Sequence, residues 1–155
     1  MLWKSLDPDR DPKLLPSALI GKPFPGASLP QLELPETLDT TSLIGKPFVV
    51  NVFASWCPEC VSENPVLIDF NRRSEVPLIG IAYKDERSDT REWLQRWGNP
   101  FDRVLVDADG RFGINLGVYG APETYFVDNK GMVRRRHVGA LSAAELSDFV
   151  DELQR

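Results

Sequence analysis

Short apolar runs alternate along this chain with amphipathic stretches, and the rhythm predicts its elements. "KPFVVNVFA" (Lys46 to Ala54) is almost unbroken apolar sequence, the pattern of a strand buried on both faces. From Pro58 to about Ser74, Val61, Val66, Leu67 and Phe70 are spaced for a helix. Pro65 falls within it, so the helix either carries an interior proline, which costs on the order of 3 kcal/mol, or ends near Asn64. "PLIGIAY" (Pro77 to Tyr83) is a second buried strand. "SDTREWLQRWG" (Ser88 to Gly98) opens on a Ser/Asp cap, gathers Trp93, Leu94 and Trp97 on one face and stops at Gly98, which predicts a helix.

"RVLVD" (Arg103 to Asp107) is a third strand, and "GRFGINLG" reads as short helical or irregular chain. "ETYFVD" (Glu123 to Asp128), the turn "NKG" and "MVRRRHVG" form a hairpin. Ser142 caps a last helix, "AAELSDFVDELQ", with an apolar stripe of Leu146, Phe149, Val150 and Leu153. The order β-α-β-α-β followed by β-β-α predicts an α/β fold, a central mixed sheet with helices on both faces. That is the outline of a thioredoxin-like domain.

With 155 residues, 42% hydrophobic and 26% charged, the chain fits one globular domain that buries a full core. A stabilising disulfide is therefore unnecessary. The net charge of −5 removes the electrostatic term that drives nucleic-acid binding. Arg134-Arg135-Arg136 reads as a solvated strand face or edge. No apolar run reaches the roughly 18 residues of a membrane span, and no signal peptide is visible. Residues 1–16, with Leu2-Trp3 and the proline-punctuated "KSLDPDRDPKLLP", read as an extended tether ahead of a domain at 17–155. Such a beginning fits a chain cut just after a membrane anchor.

Both cysteines lie in "NVFASWCPECVSENP" (Asn51 to Pro65), as Cys57 and Cys60. The pair follows a buried strand and opens a helix, so free backbone N–H groups and the helix dipole favour a thiolate at Cys57. Pro58 is tolerated in a first turn, and Cys60, a turn further in, is placed to resolve a mixed disulfide. Redox work is the reading this context favours. A structural zinc site needs four ligands, and the chain offers two cysteines and His137, an ordinary strand residue. Copper held by the two thiols remains an alternative of the binding-module class.

"ASWCPEC", "GVYGAPETYFVD" (Gly117 to Asp128), the opening "SALIGKPFP" (Ser17 to Pro25) and "YKDERSDTREWL" with "GNPF" resemble the periplasmic thiol:disulfide interchange proteins of cytochrome c maturation, the DsbE/CcmG family. The resemblance runs from about Ser17 to the C-terminus. It implies a thioredoxin fold, a Cys57/Cys60 couple with no organic cofactor or metal, and attachment to the inner membrane by an N-terminal helix absent from this sequence. Its implied partners are a membrane thiol transporter of the DsbD/CcdA type as electron donor, and apocytochrome c or haem-lyase components as acceptor. The redox face must stay open, which suggests a monomer. A TlpA- or ResA-like reductase with another client is the alternative, and "WCPEC" argues against a peroxide pocket.

Site roles follow from the resemblance residue by residue. Pro122 matches the family's cis-proline, leaving Ala121 to pair with a substrate peptide. Trp56 forms a groove wall, and Pro58, Glu59, Glu123 and Thr124 line the groove. Pro65 matches a kinking proline of thioredoxins. Thioredoxins carry a buried aspartate where this chain has Asn51, and an amide cannot take a proton from the resolving thiol. Glu63, three residues after Cys60, is the replacement. Carboxylates at Glu123 and Glu59 would disfavour the thiolate and make the couple more reducing.

Overall fold

The computed structural model describes residues 19–155. The proposed tether and Ser17-Ala18 lie outside the described residues. A five-stranded sheet in the order β5-β4-β3-β6-β7 forms the centre. Its strands are β3 (Phe48–Phe53), β4 (Leu78–Tyr83), β5 (Arg103–Asp107), β6 (Glu123–Val127) and β7 (Val133–Val138). β3, β4 and β5 run parallel, and β6 and β7 are antiparallel to their neighbours. The helices are α1 (Pro58–Arg73), α2 (Arg87–Trp97), α3 (Arg111–Leu116) and α4 (Ala143–Leu153). The mixed α/β thioredoxin-like architecture expected from the sequence is therefore present.

Alternation along the strands divides the core. Val49 and Phe53 of β3, Leu78 and Ala82 of β4, Val104 and Val106 of β5, and Phe126 of β6 join one cluster with Leu67, Trp93 and Leu146 from α1, α2 and α4. Phe48, Val50 and Val52, Ile79 and Ile81, Leu105, Tyr125 and Val127 face the other way, toward Phe24 and the α3 residues Phe112 and Leu116. Both faces of the central strands are covered, which is why they read as continuous apolar runs rather than as alternation.

Several local expectations need correction. α1 passes through Pro65 and continues to Arg73, so it does not end near Asn64. α2 begins at Arg87, and its N-cap Glu86 makes no side-chain cap bond; the Ser88 cap is not used. Trp97 is 41% exposed and leaves the packed face of α2 to Trp93 and Leu94. A small antiparallel pair, β1 (Ser28–Pro30) and β2 (Thr37–Asp39), was not visible in the pattern, because three-residue strands carry no periodicity. An isolated bridge from Gln31 to Leu105 sets this pair against the β5 edge. Ser142 does cap α4, in a reciprocal capping box with Glu145.

Candidate active site

β3 ends at Phe53, and four residues later Cys57 caps α1. Its backbone is extended, and its Sγ accepts a hydrogen bond from the backbone N–H of Cys60 at 3.2 Å. A sulfur held against the first-turn N–H groups of a helix sits where a thiolate is stabilised. Cys57 and Cys60 are joined as a disulfide, and each is only 3% exposed. Pro58 and Glu59, between them, face solvent.

The loop carrying the disulfide is clamped from the end of β4. The buried Asp85 carboxylate accepts from the backbone N–H of Ser55 at 2.9 Å, the Ser55 hydroxyl at 2.6 Å and the Thr90 hydroxyl at 2.8 Å. Trp56 lies outside, half exposed, with its indole N–H donating to the carbonyl of Lys84 at 3.0 Å and its ring near Tyr83. Lys84 holds φ at +46, an uncommon conformation for a residue with a Cβ. The turn at Lys84-Asp85 thus fixes both residues preceding Cys57. Sequence reasoning missed Asp85; its place between a strand end and a helix start was the available signal.

Behind the disulfide, α1 buries Cys60, Glu63, Asn64 and Leu67 on one face. Glu63 is 2% exposed. Its Oε1 accepts from Asn51 Nδ2 at 2.8 Å, and its Oε2 accepts from the backbone N–H of Leu141 at 2.7 Å. Burial drives the carboxyl pKa up to about 7, the two hydrogen bonds oppose this, and the charge of Glu59 adds slightly to the rise. No cation pairs with Glu63 among the described residues. Asn51 Nδ2 also donates to Thr124 Oγ1 at 3.1 Å, while Asn51 Oδ1 is buried without a partner.

The Ala121–Pro122 peptide bond is cis, as the resemblance implied. β6 is antiparallel to β3, with Glu123 opposite Val52, so Pro122 and Ala121 continue past the same end of the sheet at which β3 runs on toward Cys57. Ala121 packs against the apolar cluster that contains both cysteines. The structure therefore gathers Cys57, Cys60, Trp56, Ala121 and Pro122 at one end of the sheet, with Glu63 beneath.

Two proposed groove residues do not line a groove. Thr124 is fully buried and serves as the acceptor for Asn51. Glu123 is also fully buried, and alternation turns it to the sheet face opposite α1. There it pairs with Arg136, and its Oε2 accepts from the backbone N–H of Tyr119 at 3.0 Å. Burial raises the Glu123 pKa, and the Arg136 charge acts against that rise. Its charge is thus compensated and directed away from the disulfide, contrary to the expectation of a second free negative charge. Arg136 was expected on a solvated face, yet its side chain is 5% exposed; Arg134 remains in solvent. Three consecutive arginines conceal the difference, since a register shift between Phe126 and Val127 leaves Arg134 out of the ladder and breaks the alternation that would put it on the face of Arg136.

The Redoxin family model matches residues 19–153. The thiol:disulfide interchange protein DsbE of Pseudomonas fluorescens biotype C is 45% identical over 92% of this chain and 84% of its own length. The chain belongs to the DsbE family. The DsbE of Tatumella citrea is 43% identical over 99% of this chain and 84% of its own length. Among solved structures, MTB dsbF in its mixed oxidized and reduced forms superposes with a TM-score of 0.75 at 32% identity, over 82% of this chain and 94% of that one. As a member of the DsbE family this protein is a thiol:disulfide oxidoreductase. In the DsbE site described here, the side chains least legible in the sequence are Asp85, which clamps the loop, and Arg136, which neutralises Glu123.

Proposed function

We propose that this DsbE-family protein is a periplasmic reductant of cytochrome c maturation, acting on the disulfide of apocytochrome c or of its haem-ligation components. The observation that carries the reading is Glu63: a buried carboxyl without a cation partner, one helical turn beyond Cys60. An anion in that position disfavours thiolates nearby, which destabilises the dithiol and makes the couple more reducing. The client follows from the resemblance of "GVYGAPETYFVD" to the cytochrome c maturation proteins.

In the reaction, the Cys57 thiolate attacks one sulfur of the client disulfide. A mixed disulfide forms and the other client sulfur leaves as a thiolate that takes up a proton. The client lies along Ala121-Pro122, beside Trp56. Cys60 gives its proton to Glu63, directly or through water, and attacks Cys57 Sγ. The client leaves as a dithiol, and Cys57–Cys60 becomes the disulfide, so two electrons have passed to the client. A carboxyl with a pKa of about 7 both accepts and returns a proton near neutral pH. A membrane thiol transporter restores the dithiol, and an inner-membrane anchor preceding this chain keeps the protein near that donor. Neither an organic cofactor nor a metal takes part, and the protein acts as a monomer.

Equilibration of Cys57–Cys60 with glutathione, followed by reduction of an oxidised Cys-x-x-Cys-His peptide, tests the proposal. A potential well below the glutathione poise, together with rapid reduction of the peptide, is expected. Glu63→Gln should make the couple less reducing. A potential near about −120 mV, the value of DsbA, would make the protein an oxidant and overturn the reading. Reduction of unrelated disulfides at the same rate would refute the cytochrome c client alone.

A further inference from the structure

Three chain segments, residues 19–27, 40–48 and 127–133, meet at the end of the sheet opposite the disulfide. β3 begins there and β6 ends there, with Phe48 opposite Val127. Backbone bonds tie the segments together: Gly45 N–H donates to the Asn129 carbonyl at 3.1 Å, Phe24 N–H to that of Gly131 at 2.8 Å, and Gly21 N–H to that of Val133 at 2.8 Å. The Ile44 side chain covers Gly131, where a Cβ would meet it at 2.8 Å. Together the segments carry Lys22, Lys46 and Lys130 and a single acid, Asp128, although the whole chain has 23 acidic and 18 basic side chains. Asp128 is committed within its own turn, where Oδ1 accepts from the backbone N–H groups of Lys130 and Met132 at 3.0 Å and Oδ2 lies 3.8 Å from Arg134. All three lysines are exposed, and none pairs with an acid among the described residues. Ile20 and Ile44 stand beside them, 48% and 46% exposed.

Unpaired lysines around exposed isoleucines match a surface that is anionic outside and apolar just beneath. Ammonium groups take the phosphates of the headgroups while aliphatic side chains reach the acyl boundary. Lysine, a hydrated point charge on a flexible stem, suits mobile headgroups, whereas a fixed carboxylate face is matched better by the planar fork of arginine. The ends of α1 and α4, on the other face of the sheet, mix both signs, Arg72 and Arg73 with Glu75, and Arg155 with Asp151. Asp39, which caps the turn of helix before Ile44, is the next acid along these segments. The unmixed cationic face is thus confined to the three segments. The acids of the exchange end lie a strand length away, about 17 Å for the five steps of β3, and a screening length of about 8 Å at physiological salt hides them from a surface touching the lysines.

We propose that this face, with Lys22, Lys46 and Lys130 around Ile20 and Ile44, docks on an anionic phospholipid bilayer and turns the disulfide end away from the lipid. No residue of the exchange site lies in it, so docking leaves Cys57 and the Ala121-Pro122 groove open. The anchor proposed above would precede Leu19 and hold the same face to the bilayer, but docking needs only the lysines and isoleucines.

The test is co-sedimentation of the whole oxidised chain with phosphatidylglycerol vesicles at low salt, against phosphatidylcholine vesicles. Binding to phosphatidylglycerol alone is expected, weakening as salt rises. Lys22→Gln/Lys46→Gln/Lys130→Gln should lower the partition coefficient about fivefold per lysine, on the order of 100-fold in all. Ile20→Ser/Ile44→Ser should lower it about tenfold. Residues 1–18 contain Lys4 and Lys13, so Lys4→Gln/Lys13→Gln is the control and should bind far better than the triple variant. The glutathione equilibrium of Cys57–Cys60 should stay within about twofold of wild type in the triple variant, as for charges beyond a screening length. No binding, equal binding to both lipids, or binding lost in the control and kept in the triple variant would overturn the inference. Capture of polyglutamate by the three lysines without vesicle binding would also overturn it, giving the face to an acidic protein. None of these results touches the reductase reading, which stands or falls on the peptide assay above.

Discussion

Glu63 makes the stability of the oxidised protein fall as pH rises, and Glu63→Gln should remove that fall. The carboxyl pKa is about 7 in the fold against an ordinary value of 4.5, so the folded protein binds the extra proton between those values. The stabilisation is fully present below about pH 4.5 and is lost as pH rises through about 7. A displacement from 4.5 to about 7 corresponds to about 3 kcal/mol by pH 8. Glutamine keeps both contacts of the carboxyl: its oxygen accepts from Leu141 N–H, and its amide donates to Asn51 Oδ1 once Asn51 turns over, which exchanges one unpartnered Asn51 atom for the other. In that orientation Thr124 Oγ donates to Asn51 instead of accepting. Urea denaturation of wild type and variant, both oxidised, should show near equality at pH 4 and a gain of about 3 kcal/mol for the variant at pH 8. All other titrating groups cancel in the difference. A gain that does not change with pH, or a variant less stable at pH 8, would refute the argument that Glu63 is ionised at a cost inside the fold.

Three further outcomes test the frame around the site. Asp85→Asn sets an amide N–H against the donors from Ser55 or Thr90 and should cost about 1–3 kcal/mol in urea denaturation, with a change in Trp56 fluorescence as the loop loosens. Gly80→Ala would bring a Cβ to 2.7 Å from the Phe101 ring in the middle of β4, an overpacking loss of about 1–3 kcal/mol read from the denaturation midpoint. Ser142→Ala removes the cap of α4 and should lower stability by about 0.5–2 kcal/mol in thermal unfolding, while Ser142→Asp retains most of it.

The elements with strong patterns were legible in the sequence. Buried strands such as Phe48–Phe53 and the amphipathic stripe of α4 announce themselves by period and composition, and the helix-opening CxxC placed the disulfide where it is found. Glu63 was legible because a helix returns near the same face after three residues. What could not be read depends on which way a side chain turns at a given register. Glu123 looked like a second acid beside the sulfurs, but one step along β6 separates it from Thr124 and puts it on the far face. Arg136 looked solvated for the same reason. Asp85 lies at a strand end, where its acceptors are committed by a three-dimensional turn that no spacing encodes.

Two of the buried carboxyls near the disulfide, Glu63 and Glu123, differ by one partner. Burial pushes both toward the neutral form, and the cost of an ionised carboxylate in the interior is met at Glu123 by a guanidinium. At Glu63 it is met only by two hydrogen bonds from uncharged donors, Asn51 and Leu141. Glu123 is tied to Arg136 on the face of the sheet turned away from both sulfurs, so it suits a brace. An unpaired carboxyl near neutral pKa changes charge readily and suits proton transfer beside a thiol. If Asn51 were an aspartate, two buried acids would share one face of the sheet, and like charge would drive the pKa of at least one of them upward. An amide at Asn51 keeps the titration of that buried pair on Glu63 alone, as the proposed proton transfer from Cys60 requires.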